Sequence, residues 1–359
     1  MNIRYELTDA NDHPVPPEDN LGFGRHFTPH MFVMEWEEDK GWHNARIQPY
    51  GPLLISPAST VLHYAQEIFE GMKAYRQKDG RIVLFRPDMN AARLNRSAVR
   101  MSMPEIPAVD QIEIYERLVD VDKAFVPTNR GNSLYIRPTM IGDGQSLGAH
   151  TAKRFIFFVI LSPSGAYYAR GLSPTRLKVE ERYVRAVKGG VGAAKTGGNY
   201  AASFKATKDA AAEGFDQVVW LDGKENRYVQ EAGAMNIVFI VDGKLRTGAL
   251  DGAILPGVTR DSVLTLAREM GLEIVEQAID IHDVAAWAES GRLTEAFGTG
   301  TAAAISPIGE LNFQGQAIIP GDGSIGPVAQ HMYDSLLGIQ YGEIADRFGW
   351  IVPVPAFEH

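Results

Sequence analysis

The second half of the chain alternates helical patterns with short apolar strand patterns. The paired segments, helix first and strand second, are 200–213 with 217–221, 259–270 with 273–277, and 281–289 with 293–297. A further strand pattern covers 236–241, and a last helical pattern covers 325–347. This alternation predicts a mixed α/β fold. The strand patterns are too uneven for a regular eight-fold barrel.

The first half of the chain has a different organisation. Helical patterns cover 88–101 and 110–125, and the strand patterns are 47–55, 81–85, 134–141 and 154–161. A chain of 359 residues usually forms about two domains. A segment rich in Ser, Pro and Gly is typical of a linker. We therefore predict an arm at 1–40, a smaller domain at 41–162, a linker at 163–175 and a larger domain at 176–359.

The composition excludes several classes of function. A formal net charge of −9 leaves no dominant basic face for a nucleic acid. The absence of cysteine excludes disulfides, thiolate metal sites and cysteine nucleophiles. His26 and His30 have the spacing of a metal pair, but Pro29 lies between them and the zinc-protease glutamate is missing, so we predict no metal site. The longest apolar run, 155–161, is too short for a membrane, and no signal segment precedes it, so we expect a soluble, cytoplasmic protein.

Lys195 is the one charged residue within a run of glycine and alanine at 189–198. Such a loop brings the backbone close to a ligand and presents a single amine. A lysine in this setting either binds phosphate as a point charge or forms imines with carbonyl compounds. The segment nearly matches a phosphate loop, but Ala194 stands where that motif demands glycine. A nucleotide-dependent phosphoryl-transfer protein therefore remains as the less favoured alternative.

Two further segments offer backbone N–H groups to an anion. Residues 298–303 are small, and 255–261 form a Pro-Gly turn that opens a helix. Glu231 stands directly before a strand predicted to be buried. Pyridoxal phosphate requires a lysine, an acidic partner for its ring nitrogen and anchors for its phosphate. These parts together point to that cofactor.

With these residues placed, the chain resembles the branched-chain amino-acid aminotransferases, which are class IV aminotransferases. The resemblance runs from about residue 22 to residue 349. Its motifs lie, in order, at 63–75, 84–87, 135–138, 195–200, 231–237, 255–260 and 300–302. The resemblance implies the fold of the D-amino-acid aminotransferases, with a smaller N-terminal α/β sandwich and a larger C-terminal barrel-like α/β domain.

The resemblance also implies the cofactor site. Lys195 would hold pyridoxal 5'-phosphate as an imine and carry a proton to and from the substrate. Glu231 would keep the pyridine nitrogen protonated, and Tyr200 would hydrogen-bond the ring hydroxyl. The phosphate would be held by Arg93, Val258, Thr259 and Thr301.

The substrate site follows from the same resemblance. The amides of Ala302 and Ala303 would bind the α-carboxylate, and Arg137 would bind the second carboxylate of glutamate. The apolar wall would consist of Tyr64, Phe69 and Tyr135. Leu147 and Ala149 would reach into the pocket of a partner subunit, which implies a homodimer or a larger homo-oligomer.

The implied reaction is reversible transfer of the amino group of L-leucine, L-isoleucine or L-valine to 2-oxoglutarate. The alternatives on the same scaffold are a D-amino-acid aminotransferase and a pyridoxal-phosphate lyase, and the apolar pocket speaks against both. The chain departs from parts of the family in two places. Ala234 replaces a threonine of one branch, and Ala303 and Ser306 stand where animal members have a Cys-x-x-Cys pair.

Overall fold

The computed structural model describes residues 1–9, 13–165 and 172–358. The strands are β1 (Arg4–Tyr5), β2 (His30–Glu37), β3 (Gly41–Pro49), β4 (Glu67–Phe69), β5 (Met72–Arg76), β6 (Ile82–Phe85), β7 (Ser133–Gly142), β8 (Arg154–Ser164), β9 (Thr175–Glu180), β10 (Gln217–Leu221), β11 (Val229–Ala232), β12 (Met235–Val241), β13 (Lys244–Thr247), β14 (Ile274–Glu276), β15 (Leu293–Gly300), β16 (Ala304–Phe313), β17 (Gln316–Ile318) and β18 (Ile351–Pro353). The helices are α1 (Thr60–Tyr64), α2 (Pro87–Arg100), α3 (Ala108–Val121), α4 (Gly197–Ala201), α5 (Phe204–Ala212), α6 (Val258–Glu269), α7 (Ile281–Glu289) and α8 (Pro327–Gln340). Short 3-10 helices cover Glu18–Asn20 and Lys123–Phe125. Within the described ranges, no helix is both long and apolar enough to cross a membrane.

The chain divides into two structural units. The first contains Met1–Ala169, Ala194–Gly197 and Leu337–His359, and the second contains Arg170–Ala193 and Gly198–Leu336. Strands β1 and β2 lie within residues 1–40, the segment predicted as an arm, and that segment belongs to the first unit. The segment around Lys195 and the C-terminal segment group with the first unit, although both fall within the predicted larger domain. Part of the predicted linker, 166–171, lies outside the described residues.

The first unit is built on a sheet with the strand order β1-β3-β2-β8-β7-β5-β6-β18, and β4 pairs with β7. Its main pairings are antiparallel. As in any strand, successive side chains point to opposite sides of the sheet. One side carries Ile136, Phe157 and Val159, which join a core with Leu94 of α2 and Leu118 of α3. Full burial of one such side chain contributes about 1.5–3 kcal/mol. The other side carries a smaller apolar cluster, which includes Met31 and Ile156, and also the side chains of Tyr135 and Arg137.

A closed six-stranded barrel forms the centre of the second unit. The order β11-β10-β9-β16-β15-β12 closes because β12 also pairs with β11. One apolar cluster takes residues from all six strands, among them Leu177, Val219 and Phe239, so it fills the barrel. Helix α5 covers Val218 and Trp220, which lie outside this cluster. This arrangement confirms the predicted mixed α/β fold with a barrel-like second half.

Four predicted elements are shorter or interrupted in the structure. The helix predicted at 110–125 ends as α3 at Val121, and a separate 3-10 helix covers Lys123–Phe125. Strand β3 covers Gly41–Pro49, so the prediction of 47–55 was wrong over 50–55; Pro52, within that stretch, has no N–H to continue a ladder. The helix predicted at 200–213 is two helices, because the Ser203 hydroxyl donates to the Tyr200 carbonyl at the break (2.6 Å). Helix α8 stops short of the predicted residue 347, since Gly342 takes a left-handed conformation (φ 69°).

Candidate active site

The backbone of Lys195 is fixed to two elements of the first unit. Its N–H donates to the hydroxyl of Ser97 on α2 (2.9 Å), and its carbonyl accepts from the N–H of Phe69 on β4 (3.0 Å). The Thr196 hydroxyl donates to the Glu67 carbonyl (2.7 Å). The half-buried ammonium lies 4.7 Å from the centre of the Phe69 ring. The amine is therefore held over an aromatic face by a segment that is itself hydrogen-bonded on both sides.

Arg93, predicted to bind phosphate, forms a buried ion pair with Glu70. Its Nε lies 2.7 Å from Oε1 of Glu70, and its Nη2 lies 2.9 Å from Oε2. Asn90 donates to the same carboxylate (2.7 Å). Burial raises the pKa of Glu70, but the charge and hydrogen bonds of Arg93 outweigh it and hold the pKa below its ordinary value, with a smaller contribution from Lys195. The guanidinium is thus fixed in orientation by a carboxylate that stays ionised.

Arg137, Tyr135 and Phe69 lie together on the side of the sheet that faces away from α2 and α3. The guanidinium carbon of Arg137 lies 4.9 Å from the centre of the Phe69 ring and 5.3 Å from that of Tyr135. Its Nη2 reaches the Tyr135 hydroxyl at 3.4 Å. Its buried Nε has no hydrogen-bond acceptor among the described residues. A cation flanked by two rings, with an unused donor, is suited to an anionic group beside an apolar wall.

Two more charged residues on the same side of the sheet were not singled out from the sequence. Lys73 lies opposite Tyr135 in the β5–β7 pairing, and burial lowers its pKa to about 8. Glu67 lies two residues before Phe69, and burial raises its pKa. The strand register identifies both residues. Lys73 pairs with Tyr135 across two strands, and Glu67 lies two residues from Phe69 along one strand, so each shares a face of the sheet with its neighbour.

Tyr64 and the predicted partner-contacting residues are brought together at the surface of the first unit. The Tyr64 hydroxyl donates to the carbonyl of Leu147, whose side chain is 70% exposed. Ala149 is also exposed. A large exposed apolar side chain next to a tyrosine is an arrangement suited to contact with another molecule.

Glu231 is a buried carboxylate of the second unit, only 3% exposed. Its Oε1 accepts from the N–H of Leu255 (2.7 Å), and its Oε2 lies 3.2 Å from Nε of Arg185. Arg185 is also buried. It was not singled out from the sequence, because it lies ten residues before Lys195 and belongs to no motif. An adjacent positive charge and a backbone donor both favour the ionised carboxylate.

Helix α6 begins at Val258 with no side chain capping its N-terminus. Val258 and Thr259 supply its first two amides, and both residues are buried. The preceding Gly257 is required, because an added Cβ would lie 2.0 Å from Oδ1 of Asn236. That Asn236 amide in turn donates to the Leu255 carbonyl (2.8 Å). The turn therefore presents uncapped N–H groups at the positive end of a helix dipole.

The remaining predicted residues of the second unit lie on a hairpin and a short helix. Thr301, Ala302 and Ala303 form the turn between β15 and β16, and Ala304 closes it with a φ of 59°. All four are half-buried. The hydroxyl of Thr299, at the end of β15, is buried without a hydrogen-bond partner among the described residues. Tyr200 is half-buried on α4.

The predicted site residues thus form two groups, one in each unit. In the first unit the structure brings Lys195, Phe69, Tyr135 and Arg137 onto one side of the sheet. In the second unit Glu231 is hydrogen-bonded to the turn that precedes Val258. The first group offers an amine and a cation beside aromatic rings, and the second offers a buried acid next to uncapped amides.

Comparisons with known proteins identify the family. Residues 67–311 match the family described as amino-transferase class IV. The chain is 50% identical over 340 residues to branched-chain-amino-acid transaminase 1 of Bacillus subtilis (strain 168), covering 94% of this chain and 96% of that protein. It is 47% identical over 354 residues to branched-chain-amino-acid aminotransferase 2 of the same organism, covering 99% and 97%.

Solved structures agree with the relatives. The Escherichia coli branched-chain amino acid aminotransferase superposes with a TM-score of 0.76 at 27% identity, covering 91% of this chain and 100% of that one. The T.th. branched-chain amino acid aminotransferase, solved with pyridoxamine 5'-phosphate, gives a TM-score of 0.76 at 26% identity, covering 91% and 99%. The chain belongs to the class IV aminotransferases, which confirms the family that its motifs predicted.

Proposed function

We propose that this chain is a branched-chain amino-acid aminotransferase. It transfers the amino group of L-leucine, L-isoleucine or L-valine reversibly to 2-oxoglutarate and gives branched-chain 2-oxo acids and L-glutamate. The observation that carries this proposal is the 50% identity with a branched-chain transaminase over nearly the full length of both proteins. The sheet surface with Arg137 between two aromatic rings supports the same reaction.

Pyridoxal 5'-phosphate is the cofactor, and the residues present fit it. The buried carboxylate of Glu231 is suited to a protonated ring nitrogen, and the uncapped start of α6 is suited to a phosphate. When bound, this cofactor supplies an electron sink for the carbanion at the substrate Cα. The T.th. neighbour was solved with the amine form of the same compound.

Each protein group has a proposed part in the reaction. Lys195 holds the cofactor covalently and carries the proton to and from the substrate Cα. Glu231 keeps the ring nitrogen protonated, and Tyr200 donates to or accepts from the ring hydroxyl. The phosphate is bound by Arg93, by the amides of Val258 and Thr259, and by Thr301. Arg93 suits this part because Glu70 already fixes its orientation.

The substrate groups explain how one pocket accepts two kinds of substrate. Amides of Ala302 and Ala303 bind the α-carboxylate common to all of them. Phe69, Tyr135 and Tyr64 contact the branched side chain, whose burial supplies the binding free energy. Arg137 binds the second carboxylate of glutamate or 2-oxoglutarate through its unused Nε–H.

We further propose a cytoplasmic homodimer, or a larger assembly built from it. The exposed apolar side chains of the first unit support this assembly, since Leu54 is 99% exposed, Leu147 70% and Leu62 57%. In this assembly Leu147 and Ala149 contact the partner's substrate pocket. Light scattering of the purified protein tests the assembly, and a monomer contradicts it.

We retain the domain assignment as a proposal, with 41–162 as the smaller domain and 176–359 as the cofactor-binding domain.

A panel of amino donors tests the reaction. Purified protein is supplied with 2-oxoglutarate and, in turn, L-leucine, L-isoleucine, L-valine and D-alanine, and glutamate formation is measured. We expect turnover of the three branched-chain acids and little of D-alanine. Faster turnover of D-alanine identifies a D-amino-acid aminotransferase, and absence of glutamate with every donor is the result expected of a lyase; both outcomes overturn the proposal.

A further inference from the structure

Arg185 connects three segments of the second unit, and none of its contacts was foreseen from the sequence. It is 9% exposed. Its Nη2 donates to the carbonyl of Ala253 (2.5 Å) and lies 3.4 Å from the carbonyl of Gly192. Its Nε lies 3.2 Å from Oε2 of Glu231. That N–H is not aligned for a hydrogen bond among the described residues, so the contact with the carboxylate is electrostatic.

The three segments contact one another as well as Arg185. The N–H of Ala193 donates to the carbonyl of Gly252 (3.1 Å). Gly192 approaches Ala253 so closely that an added Cβ would lie 2.2 Å from its carbonyl oxygen. The result is a small closed network in which one guanidinium holds the glycine loop and the 252–255 segment together.

Glu231 depends on the same network for its charge and its orientation. One of its oxygens accepts from Leu255, which belongs to the segment that Arg185 holds, and the other faces Arg185 itself. A carboxylate this deeply buried is neutral unless a positive charge or donors offset the loss of hydration. Only an ionised carboxylate can keep a ring nitrogen protonated. Arg185 supplies the compensating charge.

We propose that Arg185 is a positioning residue for the cofactor: it keeps Glu231 ionised and holds the glycine loop against the segment that leads into α6. This inference rests on the proposed role of Glu231 toward the ring nitrogen. The planar fork of arginine is needed, because the carboxylate lies at Nε and the two backbone carbonyls lie at Nη2 of one guanidinium. A lysine has a single charged nitrogen and cannot reach all three.

The variants Arg185→Lys and Arg185→Met test the proposal, with Arg182→Lys as the matched control. Arg182 lies three residues earlier, is exposed and stacks on Tyr183. Two properties of the holoenzyme are measured besides turnover. One is the loss of pyridoxal phosphate on dialysis, and the other is the pH midpoint of the near-visible absorbance of the lysine-linked cofactor.

We expect Arg185→Met to lose the cofactor at least tenfold faster than the wild type. We also expect its absorbance midpoint to rise by about one pH unit, which corresponds to a tenfold change in proton affinity. The midpoint rises because Glu231, once it has lost its compensating charge, no longer keeps the ring nitrogen protonated, and a ring without that charge lets the imine hold its proton to a higher pH. Arg185→Lys should show a smaller shift, and Arg182→Lys should match the wild type.

The Glu231→Gln background separates failure of this inference from failure of the proposed function. If Glu231→Gln alone leaves the absorbance midpoint and the rate unchanged, the proposed role of Glu231 is wrong. If Glu231→Gln changes them, Arg185→Met should add little to the midpoint shift in that background. A shift of equal size in both backgrounds overturns the inference, as do wild-type midpoints in both Arg185 variants. If Arg185→Met does not fold, as judged by circular dichroism, Arg185→Lys decides the question.

Discussion

The Glu70 carboxylate and the Arg93 guanidinium form a two-point ion pair that is almost completely buried, with side chains 0% and 4% exposed. We expect Glu70→Gln to destabilise the protein by about 3–5 kcal/mol, because it leaves a buried guanidinium without a counter-charge. The free energy of unfolding in urea, measured on the cofactor-free protein so that no phosphate faces Arg93, gives this loss. The Glu70 pKa is lowered in the folded protein, so the stabilisation is present above the ordinary carboxyl pKa and is lost as the pH falls through the folded value.

An exposed ion pair provides the control for that prediction. Arg4 and Glu6 lie 2.8 Å apart with side chains 58% and 48% exposed. Glu6→Gln should therefore change the stability by no more than about 0.5 kcal/mol. Equal losses in the free energy of unfolding for the two substitutions would show that burial does not increase the cost of breaking the Glu70 ion pair.

Lys195→Ala should abolish the covalent link to the cofactor without unfolding the protein. The hydrogen bonds of Lys195 with Ser97 and Phe69 use its backbone, and alanine keeps both. We expect loss of the near-visible absorbance and a fall in kcat of at least about a thousandfold, since positioned acid–base groups contribute up to about 10⁴-fold. Absorbance, turnover and circular dichroism are measured on the same sample. Unchanged turnover with a native spectrum would assign the amine chemistry to another lysine.

The sequence was sufficient for several of the local elements, and it allowed the motif residues to be proposed. Apolar periodicity located α2, α6 and α7 to within one or two residues, because each buries one continuous face. The residues of the lysine, glutamate and Pro-Gly motifs were identified because family motifs keep their order along the chain.

Contacts between segments that are remote along the chain could not be predicted from the sequence. Glu231 and Arg185 come from segments with no shared local pattern, and only the folded barrel brings them to 3.2 Å. The closure of the barrel also depends on the parallel pairing of β9 with β16, which are remote in sequence and whose register hydropathy does not encode. Likewise, Lys195 groups with the first unit through hydrogen bonds to Ser97 and Phe69, which are remote in sequence.

Arg137→Met should separate the two kinds of substrate. The guanidinium has a buried Nε–H without an acceptor among the described residues, while the rings of Phe69 and Tyr135 supply the apolar contact. Loss of a charged hydrogen bond costs about 1.5–3 kcal/mol, so kcat/KM for glutamate should fall roughly 10- to 100-fold. The value for leucine should stay within about threefold. Arg130→Met, which removes an exposed partner of Glu343, is the control, and equal losses for both substrates would contradict the assignment.

Glu67 is a half-buried carboxylate against the backbone that follows Lys195. An added Cβ on Gly197 would lie 1.7 Å from its Oε1, and the structure gives its carboxylate no ion pair among the described residues. Burial raises the Glu67 pKa, so the folded protein binds this proton more tightly than the unfolded chain. Below the pKa of Glu67 in the unfolded chain, the group has no effect on the free energy of unfolding. Once the pH has risen through the pKa in the folded protein, ionisation of Glu67 destabilises the fold by a constant amount.

Glu67→Gln removes that penalty and keeps the size of the side chain. We expect the variant to be more stable than the wild type at pH 7 by no more than about 1 kcal/mol, because the group is partly hydrated. The difference should shrink as the pH falls below the folded pKa and should vanish below the ordinary carboxyl value of 4.5. Urea unfolding at several pH values measures it, with the exposed Glu105→Gln as the control. A variant that is less stable at pH 7, or a difference that grows on acidification, would mean that the Glu67 carboxylate has a favourable partner in the folded protein.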